Sequence, residues 1–191
     1  MDKSSLRNQF KLQAEKFFQT HTSAELAEIH SKMSKNLRII LAEHKVKRIA
    51  AYQPMKYELP MIDMLQTIDL IDRIEIFIPP REIENIGLIS LADKMNPQAK
   101  LYPSAEMNAV IVPGLYIDKK GHRLGKGKGW YDQLLAKNSY TNADPQTPNA
   151  RPTQTIFAGY SWQYIDLIPS EAHDIQIKHF VNENEILSFN A

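Results

Sequence analysis

Short apolar runs alternate with helix-like stretches along most of this chain, and this alternation constrains the fold more than any other feature of the sequence. Proline closes several of the runs, at Pro54, at Pro79 and Pro80, and at Pro113. Apolar runs bounded by turn residues are typical of strands. The predicted strands are Ile49–Tyr52, Ile74–Ile78, Ala109–Val112, Thr155–Tyr160 and Ile175–Val181. Strands that alternate with helices predict a layered α/β protein with a mostly parallel sheet.

Two amphipathic helices are predicted before the first strand. Apolar residues recur at near-helical spacing over residues 3–18, among them Leu6 and Phe10. The second helix begins at Thr22, whose hydroxyl can cap it, and Glu25 three positions further on completes a capping box. We expect these two helices to pack together.

The remaining segments carry weaker signals. Pro60 suits the first turn of a helix. Residues 82–105 predict at most one short helix, and Leu115–Ile117 either extends the preceding strand or opens a hairpin. Trp130–Ala136 predicts a short helix. The polar stretch Asn138–Pro152, rich in Pro, Asn and Thr, predicts a mobile surface loop.

Composition and charge narrow the classes of function. A chain of 191 residues predicts one domain, spanning 1–191. The absence of cysteine excludes disulfide scaffolds, Cys-ligated zinc and thiol catalysis. A formal net charge of +1 disfavours a nucleic-acid binder, and no apolar stretch has the length of a membrane span. Because the N-terminal stretch has no apolar signal core, we expect a cytoplasmic protein.

The candidate chemistry of the chain is concentrated in residues 118–132, which read DKKGHRLGKGKGWYD. Gly125, Gly127 and Gly129 alternate with Lys126 and Lys128. Alternating glycines permit backbone angles that turn successive N–H groups toward one point, and the lysines compensate the charge of an anion. The helix predicted after the loop adds the positive end of its dipole. The segment therefore predicts a polyphosphate cradle; the alternative is an ordinary solvated glycine hairpin.

The spacing of the glycines excludes two familiar phosphate-binding motifs. A Walker A loop needs a glycine five positions before the Gly-Lys pair and a Ser or Thr after it. A dinucleotide fingerprint needs a third glycine where Trp130 stands. The sequence also contains no G-x-S-x-G nucleophile elbow. From spacing alone, the segment is therefore either a phosphate site of another kind or a solvated glycine hairpin.

Two blocks of this region resemble the signature of the 5-formyltetrahydrofolate cyclo-ligase family, also called methenyltetrahydrofolate synthetase. The blocks are VPGLYID at 112–118 and GHRLGKGKGWYD at 121–132, with Trp130 in place of the first tyrosine of the family's G-Y-Y-D. Residues 3–7 resemble its N-terminal K-x-x-L-R, and Gln163 with IPSEAHD at 168–174 resembles its late Q…P-x-E-x-H-D. The resemblance covers most of the chain and implies a three-layer α/β/α fold with a mostly parallel central sheet, of the cyclo-ligase (NagB/RpiA-like) type.

The resemblance implies an ATP-dependent ligase of one-carbon folate metabolism that also uses Mg²⁺. Such an enzyme cyclises 5-formyltetrahydrofolate to 5,10-methenyltetrahydrofolate and releases ADP and phosphate. Phosphorylation of the formyl oxygen makes it a leaving group, and N10 then attacks. The protein has to position these groups and stabilise charge on the transferred phosphoryl group. We expect a monomer whose partner is this small-molecule substrate, with no nucleic acid and no membrane.

The resemblance also implies site residues, which carry over position by position. Catalytic roles fall to Arg123 and Lys128. The nucleotide would be bound by Lys3, Arg7, Arg123, Leu124, Gly125, Lys126, Gly127, Lys128, Gly129, Trp130 and Tyr131. The folate would be bound by Gln53, Met55 and Glu58, with the Glu58 carboxylate accepting paired hydrogen bonds from the amino-pyrimidine edge. Asp132 and Asp174 would bind Mg²⁺, which prefers carboxylate oxygens and water.

Ordinary structural interpretations of the same residues stay open at this point. Lys3 and Arg7 suit the solvated face of an amphipathic helix. Asp132 suits a helix start and Asp174 a turn, and Glu58 suits a solvated loop. The two aromatic residues of the glycine segment suit core packing as well as stacking on a ring.

The chain departs from the family pattern between Arg81 and Pro113, where family members carry a longer stretch with an additional strand. This side of the site bears on the folate, so the alternative function is a nucleotide-binding member that has lost the ligase activity. A nucleic-acid binder that uses the lysine loop is a weaker hypothesis, because the net charge is near zero. Residues 140–154 are longer than the family's connection and predict a lid or an insertion.

Overall fold

The computed structural model describes residues 2–81, 86–139, 153–171 and 174–189. Within these ranges the α-helices are α1 (Lys3–Thr20), α2 (Ser23–Glu43), α3 (Met61–Asp72) and α4 (Trp130–Ser139). The strands are β1 (Arg48–Ala50), β2 (Glu75–Ile78), β3 (Ile89–Ser90), β4 (Ala109–Ile111), β5 (Tyr116–Asp118), β6 (Arg123–Leu124), β7 (Gln154–Ala158), β8 (Tyr164–Ile165), β9 (His179–Val181) and β10 (Ile186–Ser188). Most of the predicted loop Asn138–Pro152, the start of residues 82–105, and His173 lie outside the described residues.

A mostly parallel sheet forms the centre of the fold, as predicted. Its strand order is β10-β9-β7-β4-β1-β2-β3. The inner strands β9, β7, β4, β1 and β2 are parallel, and only the edge strands β3 and β10 run antiparallel to their neighbours. Ile49 of β1 is in register with Ile76 of β2 and with Ala109 of β4. β1 is therefore an inner strand of the sheet, hydrogen-bonded to a parallel strand on each edge.

Successive residues of these strands face opposite sides of the sheet and build two cores. Ile49 and Ile76 belong to a cluster that also contains Met33 and Leu37 of α2 and Leu65 of α3. The alternate strand residues pack on the other side, in a cluster with α4 that contains Ala50, Phe77, Val110, Leu134 and Leu135. Helices thus cover both faces, which confirms the predicted three-layer α/β/α class.

A second, smaller sheet of order β6-β5-β8 lies beside the main one. β5 and β6 pair antiparallel, which decides the alternative at Leu115–Ile117 in favour of a hairpin. Helix α1 covers this small sheet: Leu6 and Phe10 are buried in a cluster with Tyr116 and Leu124. The expected packing of α1 on α2 therefore holds only at the end of α1, where Phe17 and Phe18 reach the core that contains α2.

Local capping agrees with the sequence and adds detail. The Thr22–Glu25 capping box forms, with the Thr22 backbone N–H donating to Glu25 Oε2 over 2.7 Å. Asp2 caps α1, because its carboxylate accepts from the Ser5 N–H at 2.7 Å. The sequence predicts Pro60 in the first turn of a helix; α3 instead begins at Met61, so Pro60 occupies the N-cap position.

Residues 86–105, the described part of the ambiguous stretch 82–105, contain no α-helix. They form β3, the 3-10 turn Leu91–Asp93 and the first part of the 3-10 turn Ser104–Glu106. Pro97 and Pro103 interrupt this stretch, and a proline in a helix interior breaks or kinks the helix. β3 supplies a strand in the region where the chain is short for the family. None of the described helices is long and apolar enough to cross a membrane.

Candidate active site

A cleft of about 560 Å³ opens where the carboxyl ends of three parallel strands meet. Its wall contains Tyr52 and Gln53 after β1, Pro79–Arg81 after β2, and Pro113 and Gly114 after β4. β2 lies on one side of β1 and β4 on the other, so the strand order reverses at β1. Ligands of open α/β sheets bind in the crevice outside the carboxyl ends of the strands at such a point.

Every residue that the sequence predicted for the site lines this one cleft. They are Lys3, Arg7, Gln53, Met55, Glu58, Arg123, Leu124, Gly125, Lys126, Gly127, Lys128, Gly129, Trp130, Tyr131, Asp132 and Asp174. They come from both ends and the middle of the chain, and the fold brings them together. Their individual roles stay predictions.

The cleft also contains residues that the sequence reasoning did not assign to the site. These are Pro79, Pro80, Arg81, Pro113, Gly114 and Glu171. A signal for most of them was present, because a proline directly after a predicted parallel strand marks the strand end from which a site is built. Gly114 permits a close approach: a Cβ there would collide with the ring of Phe157.

Two of the three glycines of the segment adopt backbone angles that favour glycine. Gly127 and Gly129 have positive φ angles, of 93° and 62°. Such angles are strained for residues with a Cβ and open to glycine. Arg7 of α1 is hydrogen-bonded to the segment: its Nε donates to the Gly125 carbonyl oxygen over 3.1 Å. The loop from Gly125 to Gly129 thus lies between α1 and the start of α4.

Two cations of the cleft are bound to carboxylates beside the loop. Arg123 is buried, and its Nη2 donates to Asp132 Oδ1 over 3.0 Å. Burial lowers the pKa of Arg123, which the charge of Asp132 partly offsets. Lys3 Nζ lies 3.0 Å from both Glu171 Oε1 and Asp174 Oδ2. Burial acts to lower the pKa of Lys3, but its two carboxylate partners outweigh burial and the pKa is raised.

The two lysines of the loop differ in their surroundings. Lys126 Nζ lies 2.5 Å from Glu58 Oε1 and 3.1 Å from the Met55 sulfur. Lys128 is exposed on the loop, and within the described part of the chain it has no ion-pair partner. Of the two loop lysines, Lys126 is thus the one paired with a carboxylate among the described residues.

Aromatic residues form the floor of the cleft and also belong to the core. Tyr131 packs against both core clusters, and its ring meets that of Trp130 edge to face at 4.9 Å. Burial, followed by the nearby Glu58 charge, raises the pKa of Tyr52 and of Tyr131. Both hydroxyls are therefore neutral at physiological pH. Trp130 and Tyr131 thus both pack against the core and line the cleft.

The predicted metal ligands Asp132 and Asp174 both line the cleft. No group of three or more His, Asp or Glu side chains suited to a metal ion occurs in the described ranges. Mg²⁺ is commonly held by one or two carboxylates, water and substrate phosphates, so two carboxylates that line the same cleft as the glycine loop fit the ion. Asp132 accepts from Arg123 and Asp174 pairs with Lys3, so a metal would share these oxygens with cations already there.

Fold and cleft together define an α/β protein with a cation-rich ligand cleft at the switch point of a parallel sheet. The model of the 5-formyltetrahydrofolate cyclo-ligase family matches residues 1–183, and the chain belongs to this family. The resemblance read from the motifs is confirmed. Because the family and the named relatives are cyclo-ligases, the chain is an enzyme of the ligase class.

Curated relatives cover the chain to different extents. A 5-formyltetrahydrofolate cyclo-ligase of Mycoplasma pneumoniae is 26% identical over 184 residues, which cover 96% of this chain and 99% of the relative. A 5-formyltetrahydrofolate cyclo-ligase of Mus musculus is 31% identical over 78 residues, which cover 41% of this chain and 35% of the relative. The first of these alignments spans nearly the whole of both chains.

Solved structures share the fold. A 5,10-methenyltetrahydrofolate synthetase from Mycoplasma pneumoniae matches with a TM-score of 0.72 and 23% identity, over 96% of this chain and 100% of that chain. The Aquifex aeolicus 5,10-methenyltetrahydrofolate synthetase matches with a TM-score of 0.75 and 22% identity, over 100% of this chain and 94% of that chain. Both comparisons support the architecture described above.

Proposed function

We propose that this protein cyclises 5-formyltetrahydrofolate to 5,10-methenyltetrahydrofolate at the expense of ATP. The formyl oxygen attacks the γ-phosphorus, and the bond from that phosphorus to the bridging oxygen of ADP breaks. The N10 nitrogen then attacks the formyl carbon, the carbon–oxygen bond breaks, and phosphate leaves. N10 releases its proton to solvent. The products are 5,10-methenyltetrahydrofolate, ADP and phosphate.

The observation that supports this proposal is that residues suited to the two required binding chemistries line one cleft. The glycine loop supplies backbone N–H groups and lysines suited to a polyphosphate. Glu58, which lines the same cleft, supplies a largely buried carboxylate, with 10% of its side chain exposed. A carboxylate can accept paired hydrogen bonds from an amino-pyrimidine edge. Lys126 spans from the loop to Glu58, so the two sites are in direct contact.

The surroundings of the chain's own residues support the following roles. Lys128, with no ion-pair partner among the described residues, stabilises the charge that develops on the transferred phosphoryl group. Arg123 is bound to Asp132 and almost wholly buried. We propose that it positions the loop and the start of α4, and that its positive charge adds to the attraction of the loop for the phosphates. Lys3 and Arg7 approach the same anion from α1.

Asp132 and Asp174 would hold Mg²⁺ together with the nucleotide. The ion would neutralise part of the negative charge of the nucleotide phosphates. The carboxylates themselves orient cations: Asp132 holds the Arg123 guanidinium, and Asp174 Oδ2 lies 3.0 Å from Lys3 Nζ. Asp174 Oδ2 also accepts from the Glu171 backbone N–H over 2.9 Å, which fixes the turn in which it lies.

Purified protein with 5-formyltetrahydrofolate, ATP and Mg²⁺ tests the proposal. We expect the absorbance of methenyltetrahydrofolate to appear and one phosphate to be released per folate converted, with neither signal when ATP or folate is omitted. Tight nucleotide binding without folate-dependent turnover, in protein shown to be folded, would instead support the nucleotide-binding alternative. The named relatives do not favour that alternative, because each is a cyclo-ligase.

The proposal includes the organisation expected from the sequence: one domain over 1–191, a monomer, a cytoplasmic location, and no nucleic acid or membrane among its partners. The continuous alignment with the Mycoplasma pneumoniae relative supports the single domain. Sedimentation tests the monomer, and cell fractionation tests the location.

A further inference from the structure

One contact in the cleft joins a residue suited to the nucleotide with a residue suited to the folate. Lys126 Nζ lies 2.5 Å from Glu58 Oε1. Lys126 belongs to the glycine loop after β6, and Glu58 belongs to the turn between β1 and α3. The ion pair therefore joins the glycine loop to the turn that contains Glu58, and in this state it engages the charged groups of both residues.

The two partners of this pair are not equally held. Glu58 is largely buried, and its Oε2 accepts from the Met55 backbone N–H over 2.7 Å, so the carboxylate is fixed within its own turn. Lys126 has a side chain that is 40% exposed, on a loop flanked by glycines. A lysine is a compact charge on a flexible stem, so Lys126 is the partner that can move.

A triphosphate offers Lys126 more negative charge than one carboxylate does. We propose that, in the unliganded enzyme, Lys126 blocks the Glu58 carboxylate, and that nucleotide withdraws Lys126 and opens Glu58 to the amino-pyrimidine edge of the folate. This inference rests on the proposed function. Coupling between two ligands is reciprocal, so folate must strengthen nucleotide binding by the same factor. Typical couplings of this kind change affinity about 5- to 150-fold.

Calorimetry with 5-formyltetrahydrofolate and a non-hydrolysable ATP analogue, each alone and each with the other at saturation, measures the coupling. In the unmodified enzyme we expect the folate Kd to fall by at least about fivefold when the analogue is present. The Lys126→Met substitution keeps the length of the aliphatic part of the side chain and removes the charge. The folate Kd of this variant without nucleotide should therefore equal the folate Kd of the unmodified enzyme with the analogue bound. The ratio of the two folate Kd values should then approach one.

Two further variants separate the blocking role from general loss of charge. Lys128→Met removes a cation from the same loop that does not contact Glu58, so it should weaken analogue binding and keep the folate ratio of the original enzyme. Glu58→Gln should abolish folate binding and tighten analogue binding, because Lys126 is then no longer held away from the phosphates.

The outcomes distinguish this inference from the proposed function. If the unmodified enzyme binds neither ligand, the proposed function itself fails. If it binds both, and Lys126→Met weakens folate binding to the free enzyme or leaves the ratio of folate Kd values unchanged, Lys126 is not a block and the inference is overturned.

Discussion

The Lys3 ammonium lies 3.0 Å from the Asp174 carboxylate, and the same nitrogen lies 3.0 Å from Glu171. The first turn of α1 is thereby attached to a turn near the other end of the chain, at the edge of the cleft. Lys3 is one of the cations that we propose for the nucleotide, and Asp174 is one of the carboxylates that we propose for Mg²⁺. Their ion pair links the two groups before any ligand is bound.

Lys3→Met should weaken nucleotide binding more than it weakens the fold. A hydrogen bond to a charged group is worth about 1.5–3 kcal/mol, so the nucleotide Kd should rise roughly 10- to 200-fold. The ion pair is partly exposed, so the free energy of unfolding should fall by about 1 kcal/mol or less. Lys11→Met, on the exposed face of the same helix and outside the cleft, is the control. Equal nucleotide Kd values for the two variants would contradict a direct role for Lys3.

Lys128→Met should slow catalysis with little change in stability. Removing one preorganised group that stabilises transition-state charge typically lowers kcat by about 10²–10³. Steady-state kinetics of methenyltetrahydrofolate formation measure this. Lys120→Met, an exposed lysine of the β5–β6 turn that lines a different, shallow pocket, should leave kcat unchanged. A normal kcat with a raised KM for ATP would mean that Lys128 binds ground-state nucleotide only.

Gly127→Ala and Gly125→Ala form a matched pair that tests the loop conformation. Gly127 has φ of 93°, where an L side chain costs about 1–2 kcal/mol. Gly125 has no positive φ, and its added Cβ would meet nothing closer than Arg123 Nη1 at 3.9 Å. We expect Gly127→Ala to raise the nucleotide Kd about 5- to 30-fold and Gly125→Ala to change it little. Calorimetric titrations that give the two variants the same Kd would rule out this loop conformation as the basis of binding.

Stability should fall in mild acid through His179. Burial lowers the pKa of His179, and the neighbouring His44, whose ring centroid is 4.9 Å away, and Lys178 act in the same direction, while Glu43 opposes them. As the pH falls below about 6.5, the unfolded chain takes up the proton before the folded one does. The contribution of His179 is therefore complete above that pH and is lost as the pH falls through the lower, folded value.

Thermal denaturation between pH 5 and pH 8 measures this dependence. We expect Tm to fall with decreasing pH, and His179→Gln to flatten the slope between pH 5 and pH 7. Loss of the contacts of His179 with Ser188 and Gln154 adds an offset to Tm at every pH, so the slope is the diagnostic quantity. If the slope of Tm against pH is the same in His179→Gln as in the unmodified protein, His179 does not cause the loss of stability in acid.

The helices and strands that could be predicted from the sequence are those with a clear local pattern, such as an apolar run that ends at a proline or a capping box. The apolar runs before Pro54, Pro79 and Pro113 each formed a parallel strand, and Thr22 with Glu25 formed the capping box. Short pairings were not predictable. β3 and β8 are each two residues long, and neither has a periodicity that a sequence reader can detect. The packing of α1 on the small sheet was not predicted, because an apolar stripe shows that a helix has a buried face but not which surface that face contacts.

The sequence by itself determined the α/β class, the glycine backbone of the loop and the chemical types that the site contains, since these depend on side-chain identity and short-range spacing. Only the tertiary structure decided which groups meet. Lys126 and Glu58 are 68 positions apart and Lys3 and Asp174 are 171 apart. Such contacts depend on how β1, the small sheet and α1 pack around one strand-order reversal, and no local periodicity encodes that packing.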